Sequence, residues 1–305
     1  MQTTELATGL QFPEGPIAMD DGSIVLVEIA RGTLTRVSPD GSVTVVAELG
    51  GGPNGAALGP DGAVYVCNNG GCFTWEHVMG FTLPGPVPDA WEGGSIQRVD
   101  LDTGEVTTLY TASSSGPLRA PNDIVFDAHG GFWFTDHGVR LERSSDRTGV
   151  HYATIDGSSC QEVIFPTDAP NGIGLSPAGD RIYVAETHTG RVFYWDVTGP
   201  GQVSTDNPVG NGGHLLAGLP GMQFLDSLAV DGEGWVCVGT LVNGAITAIS
   251  PDGETVDQIP MPDPLVTNIC FGGPDMRTAY VTLSGTGALV SFEWPRRGLR
   301  LHNAR

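Results

Sequence analysis

The sequence predicts an all-β fold, and three observations support this expectation. A related segment recurs six times along the 305 residues. Each copy contains two short apolar stretches joined by a Gly-rich or Asp-Gly turn, which is the pattern of a β-hairpin. No stretch combines the apolar period of an amphipathic helix with capping residues.

Each copy has a Glu, Asn or Asp at an equivalent position near its start. We call these six the marked residues, and they are Glu14, Asn54, Asn122, Asn171, Asp226 and Asn268. The steps between them are 40, 68, 49, 55 and 42 residues. A period in this range indicates repeated supersecondary units rather than one continuous sheet.

The copies account for the predicted strands in chain order. The first two, FPEGPIAMDDGSIVLVE and GPNGAALGPDGAVYVCN, turn at Asp21-Gly22 and Asp61-Gly62. The next four read APNDIVFDAHGGFWFTD, APNGIGLSPAGDRIYVAE, FLDSLAVDGEGWVCVG and VTNICFGGPDMRTAYVT. Further strand and turn signals lie between the copies, in TLTRVSPDGSVTVVAEL, SIQRVDLDTGEVTTLYT, RVFYWDVTG and AITAISPDGETVDQIPM. Two hairpins per repeat form a four-stranded unit, so six units around one axis predict a six-bladed β-propeller.

A β-sandwich or a pair of smaller β domains is the alternative that a chain of this length permits. Sandwiches do not repeat one turn chemistry six times, so the propeller is favoured. With 40% hydrophobic and 16% charged residues and no linker-like tract, residues 1–305 are expected to form a single domain. The long second step adds an aromatic-rich insertion at about residues 72–94.

The composition disfavours several classes of function. A formal net charge of −21 and a pI near 4.4 argue against nucleic acid or an anionic membrane as partner, because both would be repelled. All 14 basic residues are Arg, so Schiff-base lysine and phosphate-loop lysine chemistry is excluded. The N-terminus has no basic region followed by an apolar one, and no apolar run approaches about 18 residues. We therefore expect a cytoplasmic protein.

The marked residues are the candidates for chemistry. In a propeller every blade begins its innermost strand at the same rim of the central channel, so six equivalent side chains converge there. Oxygen ligands alone select hard cations such as Ca²⁺, Mg²⁺ or Mn²⁺. A single Asn in a Pro-Asn-Gly segment is better explained as a favoured turn residue. Six oxygen-bearing residues in one register together predict a cation site.

Several segments match the motifs of a known family. They are PEGP (13–16), PND (121–123), PNGIGLSPAGDRIYVAET (170–187), LDSLAVD (225–231) and FGG (271–273). In this order they resemble the regucalcin/gluconolactonase family, which includes senescence-marker protein, bacterial sugar lactonases and luciferin-regenerating protein. The resemblance covers essentially the whole chain. It implies a six-bladed propeller with one divalent metal ion at its mouth.

The resemblance also implies roles for individual residues. It makes Glu14, Asn171 and Asp226 the metal ligands, with Ca²⁺ as the expected ion and Mg²⁺, Mn²⁺ and Zn²⁺ as alternatives. It places Asn122 in contact with substrate and gives Asp123 a supporting or structural role. We expect Asp226, beside the ion, to take the proton from the attacking water.

Three further residues are candidates for substrate binding. Asn54 and Asn268 face the mouth by their register, and Arg119 lies three residues before Asn122. In the animal member of the family the substrate-binding Arg lies two residues before the equivalent Asn. A solvated arginine at the rim is therefore the alternative for Arg119.

The insertion at 72–94 admits two interpretations. Its aromatic residues could form a lid or wall over the mouth, since long loops at a propeller rim often shape specificity. The alternative is an outer packing loop or a subunit contact. His137 and His188 also lie near expected strand ends, where the sequence favours turn or core placement over a position at the mouth.

The resemblance selects lactones as the substrate class, so a metal-dependent lactonase with a small-molecule lactone as its partner is the first hypothesis. A phosphotriesterase is one alternative, but such family members have a His in the last blade where this chain has Thr267-Asn268. A calcium-binding or ligand-binding propeller without turnover is the other alternative. The chain is expected to be a monomer or a small homo-oligomer.

Overall fold

Residues 2–208 and 210–303 are described by the computed structural model of this chain. They form β-strands and turns, and no α-helix occurs within these ranges. A helix long and apolar enough to cross a membrane is accordingly not found in the described part of the chain. The strands form six antiparallel blades, so the predicted six-bladed β-propeller is confirmed.

The first three blades follow one another along the chain, after a first strand β1 (Thr4–Ala7) that belongs to the last blade. Blade 1 contains β2 (Pro13–Ala18), β3 (Ile24–Glu28), β4 (Thr33–Val37) and β5 (Val43–Glu48). Blade 2 contains β6 (Pro53–Leu58) and β7 (Val64–Asn68), then a separate hairpin of β8 (Trp75–Val78) and β9 (Phe81–Pro84), then β10 (Ser95–Val99) and β11 (Val106–Tyr110). A short hairpin of β12 (Ala112–Ser113) and β13 (Gly116–Pro117) leads to blade 3, which contains β14 (Pro121–Phe126), β15 (Phe132–Asp136), β16 (Thr148–Ala153) and β17 (Cys160–Thr167).

The last three blades complete the circle. Blade 4 contains β18 (Pro170–Leu175), β19 (Arg181–Glu186), β20 (Arg191–Gly199), the short β21 (Gln202–Val203) and β22 (His214–Gly218). Blade 5 contains β23 (Phe224–Val230), β24 (Val236–Leu241), β25 (Ala245–Ile249) and β26 (Val256–Pro260). Blade 6 contains β27 (Val266–Gly272), β28 (Thr278–Leu283), β29 (Ala288–Glu293) and, from the other end of the chain, β1.

The innermost strands are those that contain the marked residues. Strands β2, β6, β14, β18, β23 and β27 each begin the strand order of their blade, and neighbouring members contact each other around a closed ring. They are apolar and mostly buried, so this ring forms the wall of the central channel. The marked residues stand near the beginning of these strands, at the end of the channel that we call the mouth.

Each innermost strand has a shift in its register at or beside its marked residue. The shifts lie between Glu14 and Ile17, Pro53 and Ala56, Pro121 and Ile124, Pro170 and Ile173, Leu225 and Leu228, and Val266 and Asn268. The sequence pattern suggested turns before the strands, but the structure places these residues within the strands. An irregularity of this kind re-aims a side chain that would otherwise follow the regular alternation of the strand.

Glycine after a marked residue serves close packing rather than a turn. At Gly172 a Cβ atom would lie 2.6 Å from the carbonyl oxygen of Asp226 on the neighbouring innermost strand. At Gly55 it would collide with the backbone of Asn122 and Asp123 in the same way. Only glycine lets adjacent blades approach this closely at the ring.

The ring of blades is closed by the N-terminal strand. Strand β1 pairs with β29, with Thr4 opposite Ser291 and Ala7 opposite Leu289. Blade 6 is therefore built from both ends of the described chain, and its pairing joins them without a covalent bond. The edge of β29 would otherwise present unpaired backbone groups.

The segment after β29 lies across the end of the channel opposite the mouth. Trp294 Nε1 donates to Asp231 Oδ2 over 3.2 Å, and Arg296 Nε donates to the same oxygen. Leu299 and Leu301 line a cavity of about 460 Å³ within the channel, together with apolar residues of the innermost strands. The polar marked residues therefore lie at the mouth, and the opposite end of the channel is lined mainly by apolar residues.

Candidate functional site

The marked residues form a polar ring at the mouth, and hydrogen bonds across it link blade 6 to blade 1 and blade 5 to blade 4. Asn268 Nδ2 of blade 6 donates to Glu14 Oε2 of blade 1 over 2.7 Å. The hydroxyl of Ser227, beside Asp226 in blade 5, donates to Asn171 Oδ1 of blade 4 over 3.4 Å. The structure thus brings together side chains that are far apart in the sequence.

Glu14 is the carboxylate of blade 1, and its side chain is almost fully buried, with 1% of the residue exposed. Oε2 accepts hydrogen bonds from Asn268 and, over 2.5 Å, from the backbone N–H of Gly15. Burial raises the pKa of Glu14 well above its usual value, and the charges of Asp226 and Asp123 raise it further. A negative charge at this position therefore needs a positive neighbour.

Asp226 is the carboxylate of blade 5 and stands next to Asn171 of blade 4. The carboxyl group is hydrogen-bonded to the side chain of Asn171, while Asn171 Nδ2 also donates to the hydroxyl of Thr187 over 3.1 Å. Desolvation, followed by the charge of Asp123, raises the pKa of Asp226 to about 7. The three predicted metal ligands therefore interact with one another. The charge of Asp226 acts on Glu14, and a hydrogen bond joins Asp226 to Asn171.

Asp123 supports the ring from within the wall of the channel. Oδ1 accepts the backbone N–H of Ile124 over 2.9 Å, and Oδ2 accepts that of Ile173 in blade 4 over 3.0 Å. Burial raises the pKa of Asp123 to about 7, although these hydrogen bonds oppose the change. Its bonds tie blade 3 to blade 4, in keeping with a supporting role.

Three buried acceptor oxygens of the ring have no hydrogen-bond partner. They are Glu14 Oε1, Asn54 Oδ1 and Asn122 Oδ1, from blades 1, 2 and 3. A buried acceptor without a donor costs roughly 1–3 kcal/mol, and native proteins contain few of them. A bound cation would supply what these oxygens lack, since carboxylate and amide oxygens are the ligands of hard divalent ions.

The chemistry of the ring fits a hard divalent cation. Its oxygens come from carboxylates and amides, a set that favours Ca²⁺, Mg²⁺ or Mn²⁺ over ions held by sulfur and imidazole. Between residues 2 and 303, Val209 aside, no group of three or more His, Cys, Asp and Glu side chains is placed to hold a metal ion. The predicted ligand set does not depend on such a group because an amide supplies part of it.

Asn268 and Arg119, two predicted substrate contacts, have their polar groups engaged within the protein. Asn268 donates to Glu14 and accepts the backbone N–H of Ile269 over 2.7 Å. Arg119 Nε donates to Asp146 over 2.9 Å, and the guanidinium lies 4.5 Å from the ring centre of Trp91. Their substrate roles, like those of Asn54 and Asn122, remain predictions.

The insertion, which we call the strap (residues 72–94), leaves blade 2 at the mouth and extends toward blades 1 and 6. The ring centre of Trp75 lies 4.9 Å from that of Phe12, which is two residues before Glu14. The backbone N–H of Thr82 donates to the carbonyl of Gly285 in blade 6 over 2.8 Å. The strap also packs on the beginning of blade 3, where Phe73, Val87 and Trp91 cluster with Ala120 and Val139.

Small hydroxyl residues that the sequence analysis did not single out hold the ring in place. Thr135 donates through its hydroxyl to the carbonyl of Asn171 over 2.6 Å and accepts the backbone N–H of Asp123. Thr187 and Ser227 bind the side chain of Asn171. A Thr or Ser at a strand end is too common in β proteins to be recognised as part of a site from sequence alone.

Fold and ring together define the class of this protein: a six-bladed β-propeller with a buried cluster of carboxylate and amide oxygens at the mouth of its channel. More particularly, the chain belongs to the family described as the SMP-30/Gluconolactonase/LRE-like region, whose sequence model matches residues 12–285. The resemblance found in the sequence motifs is thereby confirmed.

Several named relatives share a large part of the sequence. Lactonase drp35 of Staphylococcus saprophyticus is 28% identical over 260 residues, covering 83% of this chain and 71% of the relative. A gluconolactonase of Zymomonas mobilis is 23% identical over 295 residues, covering 88% and 75%. A diisopropyl-fluorophosphatase of Loligo vulgaris is 28% identical over 194 residues, covering 59% of each chain.

Solved structures show the same architecture. A gluconolactonase from Xanthomonas campestris superposes with a TM-score of 0.75 at 21% identity, covering 96% of this chain and 89% of that one. A regucalcin from Agrobacterium tumefaciens, described as a calcium-binding protein, superposes with a TM-score of 0.73 at 18% identity, covering 98% of each. At these identities the likeness establishes the fold alone.

Proposed function

We propose that this protein is a metal-dependent lactonase that opens the ring of a small lactone. The main support is the set of unpartnered buried oxygens beside two carboxyl groups at the mouth. Family membership and the relatives named lactonase and gluconolactonase point to the same chemistry. The cytoplasmic location and the monomeric or small homo-oligomeric state expected from the sequence belong to this proposal.

One divalent cation, with Ca²⁺ as the first choice, would be held by Glu14, Asn171 and Asp226. The chemistry that such an ion supplies when bound is polarisation of an ester carbonyl and a lowered pKa of water. The unpartnered oxygens of Asn54 and Asn122 make these two residues additional candidate ligands. Asn268 would keep Glu14 in place through its hydrogen bond.

Asp226 is the proposed proton acceptor. Its carboxylate takes a proton from the attacking water while the water oxygen bonds to the carbonyl carbon of the lactone. The ring carbon–oxygen bond then breaks, and the departing alkoxide takes the proton back from Asp226. The product is an open-chain hydroxy acid, and the carboxylate of Asp226 is ready for another turnover.

The substrate would enter at the mouth, beside the strap. The aromatic side chains of the strap provide an apolar surface on one side of the mouth, with Trp75 against Phe12 and Phe73. Apolar surface favours a ligand with an apolar face, whereas the ring of carboxylates and amides favours a polar one. A lactone ring has both.

A phosphotriesterase remains the second candidate because one relative is named diisopropyl-fluorophosphatase. A polarised phosphoryl oxygen would take the position of the ester carbonyl in such a reaction. Thr267 and Asn268 occupy the last-blade position, and the hydroxyl of Thr267 bonds within the blade to Thr282 and Ser284. The side chains of Thr267 and Asn268 are both engaged within the protein, so neither can take the role of that histidine. The lactonase is therefore favoured.

The proposal is tested by measuring acid release from glucono-δ-lactone, δ-valerolactone and a phosphotriester. Purified protein is assayed after metal stripping and after addition of Ca²⁺, Mg²⁺ or Mn²⁺. We expect lactone hydrolysis that disappears with the metal and returns with at least one of these ions. Full activity in metal-free protein, verified by elemental analysis, would refute the metal requirement.

Substitutions in the ring should have large effects on lactone hydrolysis. We expect Asp226→Ala and Glu14→Gln each to lower kcat by about 10²-fold or more. Glu254→Gln, which changes an exposed carboxylate of blade 5, is the matched control and should leave kcat unchanged. Near-normal turnover in both ring variants would reject the assigned site.

A further inference from the structure

Two histidines on the neighbouring blades 3 and 4 lie close together at the mouth end of these blades. His137 follows β15 directly and His188 follows β19 after one residue, at the strand ends nearest the ring. Their ring centres are 5.8 Å apart. His188 also lies 5.5 Å from the ring of Phe224, two residues before Asp226. We call His137 and His188 the histidine pair.

Contacts with Asn171 tie the histidine pair to the ring. Thr187, which precedes His188, accepts a hydrogen bond from Asn171 Nδ2 over 3.1 Å. Thr135, two residues before His137, donates to the carbonyl oxygen of Asn171 over 2.6 Å. Both histidines therefore extend from strand ends whose neighbouring residues hold a candidate metal ligand.

The protonation state of the pair determines what it can bind. His137 Nδ1 lies 3.0 Å from the carbonyl oxygen of Gly138. Since a carbonyl only accepts, Nδ1 carries the proton and Nε2 of the neutral ring is left as an acceptor. Burial lowers the pKa of His137, and burial together with His137 lowers that of His188 to about 4. Both rings are consequently neutral near pH 7.

Within residues 2–208 and 210–303, neither His137 Nε2 nor the ring nitrogens of His188 have a hydrogen-bond partner. Neutral imidazoles offer donors and acceptors side by side, which suits hydroxyl groups because these also both donate and accept. Arg140, the cation whose charge acts on both rings, is paired with Asp168 over 3.0 Å. Its charge is thus already balanced by a carboxylate.

We propose that the histidine pair binds the ring hydroxyl groups of the substrate and so makes the site selective for neutral, hydroxyl-bearing lactones. This inference rests on the proposed lactonase function and adds two specificity-determining residues to it. The pair holds the hydroxyl-bearing edge of the lactone ring. The reacting ester group would be bound by the ring of marked residues.

The test compares glucono-δ-lactone, which has ring hydroxyl groups, with δ-valerolactone, which has none. His188→Phe keeps an edge-to-face contact with Phe224 but removes both nitrogens. For glucono-δ-lactone we expect KM to rise about three- to tenfold with kcat nearly unchanged, the range for loss of one neutral hydrogen bond. For δ-valerolactone KM should change less than about twofold. His137→Phe should have the same selective effect.

Two further variants separate recognition from folding. His188→Asn retains a donor and an acceptor and should recover part of the affinity for glucono-δ-lactone. His214→Phe changes a histidine stacked on Tyr194 in the outer strand of blade 4 and should leave both lactones unaffected. Equal losses on the two lactones, or no change on either, would overturn the proposal.

A binding experiment keeps this inference separate from the proposed function. 1,5-Anhydroglucitol has the ring hydroxyl groups but no ester, and tetrahydropyran has neither. In the wild-type protein the imidazole NMR signals of the histidine pair should shift with the first compound and not with the second. If neither lactone is hydrolysed, the lactonase proposal fails, while these shifts alone still support or refute the role of the pair.

Discussion

At the residue scale, equivalent positions of the repeat have different hydrogen-bond environments. Asn54 and Asn268 occupy the same register in blades 2 and 6. Asn54 Oδ1 is buried without a partner, whereas the amide of Asn268 is engaged with Glu14 and the backbone of Ile269. Asn268 thus acts as a structural support of Glu14, and Asn54 is available to bind a ligand.

This difference predicts opposite behaviour of two alanine variants. In metal-free protein, Asn268→Ala should lower the free energy of unfolding by about 1–3 kcal/mol, because Glu14 loses its donor. Asn54→Ala should change it by less than about 1 kcal/mol, because the lost oxygen had no partner. With Ca²⁺ present, Asn54→Ala should bind the ion about tenfold more weakly than wild type.

Urea unfolding with and without Ca²⁺, together with calorimetric titration of Ca²⁺, measures these quantities. Asn69→Ala would be a poor control because Asn69 Oδ1 holds the backbone at the start of the strap. Asn303→Ala, at the opposite end of the channel, is the better one. Wild-type Ca²⁺ affinity in the Asn54→Ala variant would show that this oxygen does not bind the ion.

At the scale of elements, the strap contacts several blades, and the tip of its hairpin is strongly exposed. Trp91 Nε1 donates to the carbonyl of Asn69 over 2.8 Å, and the ring of Trp91 lies under the guanidinium of Arg119. The hairpin of β8 and β9 reaches Gly285 of blade 6. Met79, at the tip of this hairpin, is 93% exposed. The strap is thus a bridge from blade 2 to blade 6.

Removing one support of this bridge should loosen it locally. Trp91→Ala should increase hydrogen exchange of strap amides, including Thr82, because the strap loses both a hydrogen bond and a ring contact. Exchange in β14 and β18 should stay slow, since those strands are buried in the ring. Met79→Ala is the control and should leave exchange unchanged. Unaltered exchange at Thr82 in Trp91→Ala would contradict this account of the strap.

At the scale of the whole molecule, the closed circle depends on a short N-terminal strand. Strand β1 supplies the outer strand of blade 6, and Ala7 and Leu10 pack with residues of blade 1 such as Ile24 and Leu26. Without β1, the backbone groups of β29 would be exposed at a sheet edge. The geometry of the ring at the mouth depends on this closure because blades 6 and 1 meet at Asn268 and Glu14.

Deleting residues 2–8 should therefore destabilise the protein as a whole. We expect the free energy of unfolding to fall by on the order of 3 kcal/mol, from lost strand pairing and exposed apolar surface. The exposed edge should also increase self-association, measurable by size-exclusion chromatography. Deletion of residues 2–3 alone, which precede β1, is the control. An unchanged urea midpoint in the longer deletion would show that closure does not require β1.

Periodicity within the sequence was sufficient to predict the six blades and the register of the marked residues. Both depend on local rules, namely the alternation of apolar residues in strands and the turn chemistry of hairpins. Family motifs added the metal and the lactone as expectations. The irregular register at the marked residues was not predicted, because Pro-Asn-Gly has the same composition in a turn and at the start of a closely packed strand.

The tertiary structure decided the contacts between residues that are far apart in the chain. Asn268 and Glu14 are separated by 254 residues, yet their side chains form a hydrogen bond. The side-chain oxygen of Asn54, in the same register of blade 2, has no partner. The position of the strap and the approach of His137 to His188 likewise depend on how neighbouring blades pack. Such packing is a property of the closed circle of blades. Local sequence patterns therefore determine the individual blades, whereas the closure of the circle determines the site.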